Sequence, residues 1–431
     1  MAGGTGGNAA GGAATAGQAS GGTETGGIAA GGTATGGTAT GGRSTGGFGG
    51  RATGGGETGG TSVAGGTAAG GTAPTCEGGL ACTPPMGWNS WNKFGCNIDD
   101  KTIRAIADSM VSSGMKDAGY QYVNIDDCWQ TSRDGSGTIV PGSNFPDMKA
   151  LADYVHDKGL KLGVYSDRGT KTCAGRPGGE GHETQDANTY ASWGVDYLKY
   201  DNCNATQDMK TQYTTMGNAL KACGRPIVFS ICAWGFQSWM PSVGNLWRTT
   251  GDINASWSSI TGIIDTNADL AQHASPGHWN DPDMLEVGNG SLTENQNKAH
   301  FGMWAIMAAP LIAGNDLRSM STSVNDILTA SEVIAVDQDL LGVQGTRVKG
   351  KGSLEVWKKK LYGTNTVAVG LLNRTNSPAD ITVTWADAGL PSGAATVRDL
   401  WAKSDLGSFT DTYTAKAVPS NGMAMLKITS Q

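Results

Sequence analysis

From about residue 86 to residue 342, short apolar runs alternate with stretches whose apolar residues recur every three or four positions, the pattern of parallel βα units. Eight runs read as strands: Met86 to Ser90, Tyr122 to Asp126, Lys161 to Tyr165, Tyr197 to Tyr200, Ile227 to Ile231, Asn245 to Arg248, Gly277 to Asn280 and Pro310 to Ala313. Between them, Asp99 to Ala118 and Thr206 to Cys223 read as helices, the first with Ile103, Ile106, Met110 and Val111 expected on one buried face. Eight such units predict an α/β fold, a (β/α)8 barrel over residues 83–342. After Gly342 the period changes to two, as in Thr366-Val367-Ala368-Val369-Gly370-Leu371, so residues 343–431 are expected to form an antiparallel β-sandwich. Trp357, Trp385 and Trp401 within these strands suit a buried core, with exposed sugar-stacking platforms as the alternative.

Residues 1–75 follow neither pattern. They are almost entirely Gly, Ala and Thr, with Ile28, Phe48 and Val63 as their large apolar residues, too few to offset the entropy of ordering the segment. A flexible low-complexity linker is expected there, with a surface tether as its suggested use. The formal net charge of −7 is spread along the chain without a basic run, so neither a nucleic-acid partner nor an anionic membrane surface is expected. No apolar stretch is long enough to span a bilayer. Eight cysteines, all between Cys76 and Cys232, suit an oxidising compartment and predict a secreted, cell-surface or periplasmic protein, although the start Met1-Ala2-Gly3-Gly4 has no leader-like character.

In a barrel of this kind the reacting groups stand at the C-terminal ends of the strands. Those positions carry Asn89 and Trp91, then Asp126 and Asp127, then Tyr165, Asp167 and Arg168, then Lys199 and Asp201. They continue with Cys232, Ala233 and Trp234, then Arg248 and Asp252, and finally Asp281 and Asp283. Two of the runs end on an aspartate with a cation shortly before it, Lys199 before Asp201 and Arg248 before Asp252. One ionised carboxylate facing a second carboxyl that holds a proton is what retaining glycoside hydrolysis requires. Aromatic faces suit the C–H patches of a sugar, and charges its hydroxyls. A hard cation on Asp126, Asp127, Asp281, Asp283 and His278 is the competing reading. Lys199 and Arg248 at the same rim oppose it, so neither metal nor cofactor is expected. Asp281 also suits a turn cap, and Asp167 with Arg168 a structural ion pair. Cys76 with Cys82, and Cys223 with Cys232, are local candidates either to pair or to stay free.

Four runs, Thr83-Pro84-Pro85-Met86-Gly87-Trp88-Asn89-Ser90-Trp91, Asn124-Ile125-Asp126-Asp127-Cys128-Trp129, Lys199-Tyr200-Asp201-Asn202-Cys203 and Asn280-Asp281-Pro282-Asp283-Met284, resemble the α-galactosidases of glycoside hydrolase family 27. The resemblance implies a barrel followed by an antiparallel β domain and a retaining α-galactosidase acting on oligosaccharides or galactomannan. It implies Asp201 as nucleophile and Asp252 as acid/base, which enters the cycle carrying the proton. Trp91, Asp126, Asp127, Tyr165, Cys173, Lys199, Cys203, Trp234, Arg248 and Asp283 are implied as substrate contacts. Disulfides are implied between Cys96 and Cys128 and between Cys173 and Cys203. Position 233, where relatives place Glu, Gln or Asn, is Ala, as in the related α-N-acetylgalactosaminidases; Phe236 is expected to close the space an acetamide would need. α-N-Acetylgalactosaminidase or β-L-arabinopyranosidase activity is the alternative within the family, and a tethered, non-catalytic sugar-binding protein the alternative outside it.

Overall fold

A computed structural model describes Cys76, residues 79–363 and residues 365–431; apart from Cys76, the expected linker over residues 1–75 lies outside the described residues. Eight parallel strands form one curled sheet: β1 (Met86–Asn89), β2 (Tyr122–Asn124), β3 (Lys161–Asp167), β4 (Tyr197–Asp201), β5 (Val228–Ile231), β6 (Leu246–Arg248), β7 (Trp279–Asp281) and β8 (Leu311–Ala313). They follow chain order around the sheet, with β8 paired to β1. Just beyond β7, Leu285 bridges to β8 by its N–H on Ile312 O at 2.8 Å and its carbonyl on Gly314 N at 3.0 Å. All eight expected strands are present. Their side chains are buried nearly throughout, as a sheet covered by helices on one face and packed inside on the other requires.

The helices differ from expectation in their ends. The first runs Asp100–Ser112, capped by Asp99, whose carboxylate accepts Thr102 N–H at 2.8 Å. It stops short of Ala118 because Gly114 takes a φ of 82°, outside helical geometry. Its buried face is Ile103, Ile106, Ala107 and Met110, while Val111 is exposed. A residue directly after Met110 lies about 100° further around the helix, which carries Val111 off that face. The helix expected from Thr206 begins at Met209, because Asp208 serves as its N-cap.

The mouth at the strand N-termini is sealed. Leu80 and Ala81, inside a loop closed by a Cys76–Cys82 disulfide, pack on Tyr122, Tyr197, Val228, Leu246 and Trp279. The Ala81 carbonyl accepts Trp279 Nε1 at 2.7 Å. The other mouth is left to carry chemistry.

After the barrel, six strands form an antiparallel sheet, and Ala379–Thr384 pairs with Thr412–Val418 in a second, smaller one. Along Thr366–Asn373 the alternation is divided between two cores: Val367, Val369 and Leu371 face the small sheet, Ala368 and Leu372 face the barrel. Gly370 faces the barrel helix Glu294–Ile306, where an added Cβ would lie 3.4 Å from Ile306 Cγ1. Trp357 and Trp385 are fully buried and Trp401 is half-buried, so the sugar-platform alternative does not hold for the first two. Among the described residues no helix is long and apolar enough to cross a membrane.

Candidate active site

Strands β1 to β7 each deliver side chains to the open mouth. Trp91, Asn92, Asp126, Asp127, Tyr165, Cys173, Lys199, Asp201, Trp234, Arg248, Asp252, Ile253, Asp283 and Met284 line one cavity. Of the twelve residues expected at the site, eleven lie on its wall. Cys203 does not: it stands behind Cys173, to which it is disulfide-bonded, and its N–H is spent on Asp167 Oδ2 at 2.8 Å. A larger recess on the barrel flank, lined by Leu220, Ile227, Phe229 and Val243 among others, includes no carboxylate and cannot support two-carboxyl chemistry.

Asp201 ends β4 and is 6 % exposed. Its Oδ2 accepts the Tyr165 hydroxyl at 2.9 Å and its Oδ1 the Asn202 N–H at 2.9 Å. Cys173 Sγ touches Oδ2 at 3.5 Å, and as a disulfide sulfur it has no proton to give. Burial pushes the carboxyl above its ordinary value; Lys199 is the strongest influence holding it down, followed by the Cys232 thiol and Tyr165.

Lys199 does not rest on Asp201. Its Nζ pairs with Asp126 Oδ2 at 2.8 Å, an oxygen that also accepts Asn89 Nδ2 at 2.8 Å. Burial is the largest single influence and pulls this amine down, but Asp126, Cys232 and Asp201 together outweigh it, so the ammonium is held well above its usual range. Asp127 accepts the N–H groups of Cys128 and Ala174, fixing it beside Asp126, and burial raises its carboxyl. Two neighbouring aspartates are thus clamped, one by a cation and one by backbone.

Across the cavity Arg248, at the end of β6, is almost fully buried. Its Nη2 reaches Asp283 Oδ2 at 2.7 Å and Asp252 Oδ1 at 3.0 Å. The two acids are unlike: the Asp283 side chain is 4 % exposed and that of Asp252 is 74 % exposed. Asp283 has a φ of 87° and accepts the N–H groups of Ile253 and Met284, which ties the loop bearing Asp252 to the end of β7. Trp234, with a φ of 58°, stands 41 % exposed at the rim. Its neighbour Phe236 lies against His273 and Trp247 and is not on the cavity wall, contrary to the expectation that it closes space there.

Several expectations are revised by these contacts. Arg168 does not pair with Asp167; it bonds Asn202, the Gln207 carbonyl and Gln212. Asp167 instead accepts Gly169 N–H at 2.7 Å and Cys203 N–H, and burial followed by nearby Asp201 and Asp127 pushes it up to about 7. The acids proposed for a hard cation are already engaged, Asp126 by Lys199 and Asp283 by Arg248, while Asp281 caps the turn to Asp283 N–H at 2.8 Å. Cys96 pairs with Cys128, and Cys223 and Cys232 are free. Asn92 was not anticipated. It is placed by Glu286, whose Oε1 accepts its Nδ2 at 2.7 Å from a distant loop, a partner that local sequence does not signal.

The arrangement is one found in known proteins. The α-galactosidase A family model matches residues 83–339, and that of the α-galactosidase C-terminal β-sandwich domain matches residues 351–428. The chain is 55 % identical to an α-galactosidase of Cyamopsis tetragonoloba over 76 % of this chain and 82 % of that one. It is 50 % identical to α-galactosidase A of Cellvibrio japonicus over 81 % and 92 %. The crystal structure of α-galactosidase I from Mortierella vinacea superposes with a TM-score of 0.79 at 39 % identity, covering 83 % of this chain and all of that one. The chain belongs to the α-galactosidase family of glycoside hydrolases, family 27.

Proposed function

We propose that the chain hydrolyses terminal, non-reducing α-D-galactosyl residues of oligosaccharides or galactomannan by double displacement, with Asp201 as nucleophile and Asp252 as acid/base. The observation that carries this reading is that two aspartates in opposite environments border one cavity, Asp201 buried among donors and Asp252 exposed at its rim. In the first step an Asp201 oxygen attacks the anomeric carbon through an oxocarbenium-like transition state while Asp252 protonates the departing glycosidic oxygen. In the second, Asp252 takes a proton from water, which attacks the anomeric carbon and frees Asp201, so the configuration is retained. Tyr165 and Asn202 N–H keep the carboxylate oriented for attack. Lys199, Asp126, Asp127 and Arg248 supply charged partners for hydroxyls, and Trp91 and Trp234 supply apolar faces.

Asp201→Asn should keep the wild-type melting temperature and lose nearly all turnover of an aryl α-galactoside, and proton NMR should detect α-galactose as the first product. Release of the β anomer first would refute the double displacement. A second reading, α-N-acetylgalactosaminide hydrolysis, is favoured by the small Ala233 together with Phe236 turned toward His273. Equal kcat/KM on the aryl α-N-acetylgalactosaminide and the α-galactoside would move the substrate assignment to that class. Three disulfides among the described residues support an exported location in an oxidising compartment. Detection of the protein only in cytosolic fractions would exclude that location.

A further inference from the structure

Cys232 has no part in the double displacement described above. It follows β5, is 1 % exposed and carries a free thiol. In the sheet Tyr200 stands opposite Ile231, and Ile231 opposite Trp247. The pairing continues past β5, since Cys232 N–H donates to Tyr200 O at 2.8 Å. One residue further along each strand, Asp201, Cys232 and Arg248 therefore form a single row, and partners in such a row share a face of the sheet. The thiol is thus on the same face as the Asp201 carboxylate and one strand away from it, and the sulfur lies 3.7 Å from Arg248 Nη1. The other terminal nitrogen of the same guanidinium holds Asp252 and Asp283.

We propose that Cys232 is a positioning residue: its S–H donates to Asp201 and its sulfur accepts from Arg248, so one thiol connects the nucleophile to the arginine that holds the acid/base. The proposal rests on the assignment of Asp201 made above. Desolvation holds the thiol far above its usual range, so the group keeps the proton it must donate. Other groups also face Asp201: Tyr165 and Asp167 from β3, Lys199 on its own strand, Asp126 beyond β2 and the Cys173 sulfur, while Asp127 and Arg248 line the same cavity. Tyr165 and Asn202 N–H already donate to its two oxygens, and Cys232 is the donor from the Arg248 side.

The test uses Cys232→Ala, Cys232→Val and Cys232→Ser in the full chain, with kcat, KM and the pH profile of kcat/KM measured on an aryl α-galactoside. Losing a donor to a charged acceptor should lower kcat about tenfold, with KM changed less than about twofold. The acid limb should move to higher pH, because the charged form of Asp201 has lost a hydrogen bond. Cys232→Ser, which returns a donor on a shorter bond, should recover most of kcat and restore the limb. Wild-type kcat and profile in Cys232→Val, which fills the site without a donor, would overturn the proposal. So would equal losses in all three variants with an unmoved limb, the mark of packing alone. Asp201→Asn keeps the two failures apart: turnover there would sink the assignment of Asp201, whereas an inactive Asp201→Asn beside a wild-type-like Cys232→Val would sink only the role of the thiol.

Discussion

Lys199→Met probes the electrostatic balance of the site most directly. The ammonium is 2.8 Å from Asp126 Oδ2, with the two side chains 15 % and 2 % exposed. Removing one member of a buried pair typically costs about 3–5 kcal/mol, because the remaining charge is left uncompensated. Asn89 still donates to the same oxygen, so the lower end, about 3 kcal/mol, is expected. At about 2 °C per kcal/mol for a chain of this size, the melting temperature should fall by about 6 °C. Activity should suffer more. The variant loses a charged hydroxyl partner and the strongest influence lowering Asp201, and a kcat/KM loss of about 10²–10³-fold corresponds to about 3–4 kcal/mol of transition-state stabilisation. The sign of the pH effect is determined: with that influence gone Asp201 rises further, so the acid limb of kcat/KM moves to higher pH. Melts followed by circular dichroism and pH-dependent kinetics on an aryl α-galactoside provide both readouts. Adding Asp126→Asn should restore much of the lost stability and none of the lost activity. The reasoning fails if Lys199→Met leaves the limb unmoved with kcat/KM within fivefold of wild type, or if the double variant is no more stable than the single.

Two further changes test the frame of the site. In Gly169→Ala the new Cβ would lie 2.1 Å from the Cys203 carbonyl and 2.5 Å from Asn204 C, backbone atoms that cannot rotate away; a destabilisation of about 1–3 kcal/mol is expected, with lowered kcat as the segment after Asp201 shifts, and a wild-type melt with wild-type kcat would show that the segment yields freely. His300 is fully buried, accepts Glu286 N–H at 2.9 Å through Nε2, and is pushed down to about 3 by burial alone. The folded chain therefore keeps this imidazole neutral while the unfolded chain protonates it below its ordinary value, so its contribution is complete above about pH 6.5 and is lost toward pH 3, at most about 4–5 kcal/mol in order of magnitude. His300→Gln should flatten that part of the stability profile in urea melts between pH 4 and 7, and an unchanged slope would locate the acid sensitivity in the carboxylates.

The barrel was legible because each strand is a short apolar run between helical stretches, and the strand-end rule then put Asp126, Lys199, Asp201, Arg248 and Asp252 at one mouth. Pairings were less legible. Lys199 precedes Asp201 by two positions, yet its salt bridge is to Asp126, which follows β2 two strands away in the sheet, and partners across a sheet are invisible to spacing along one strand. Asp167 and Arg168 were read as a pair, but consecutive strand residues project to opposite faces; Asp167 turns in toward Cys203 and Arg168 out to Gln212. Asn92 is absent from the strand-end reading, and Cys232, present in it, has no role legible from its position, for a related reason. Each is defined by what a distant element places beside it, Glu286 for one and Arg248 for the other.

The proposed double displacement needs its two acidic side chains in opposite surroundings, and the fold supplies such surroundings through position along the strands. Asp201 belongs to β4 itself, so the sheet fixes its backbone, the neighbouring β3 aims the Tyr165 hydroxyl at the carboxylate, and Cys232 stands on the same face after β5. Such a group is oriented without rearrangement, as in-line attack requires, but it is shut off from bulk water. Asp252 lies four residues past Arg248, off the sheet, with its side chain largely exposed and joined to the barrel through that arginine. A group that must give a proton to a departing oxygen and recover one from water has to meet solvent between turnovers, and a loop position allows this. Arg248 reconciles the two demands: buried in the wall, it holds the exposed acid by one nitrogen and touches the Cys232 sulfur with another. Shortening it by Arg248→Lys would remove the fork that serves both sides at once. The loss should then exceed that of a single contact, with kcat falling along with kcat/KM, whereas a rise in KM alone would mean that Arg248 only binds substrate.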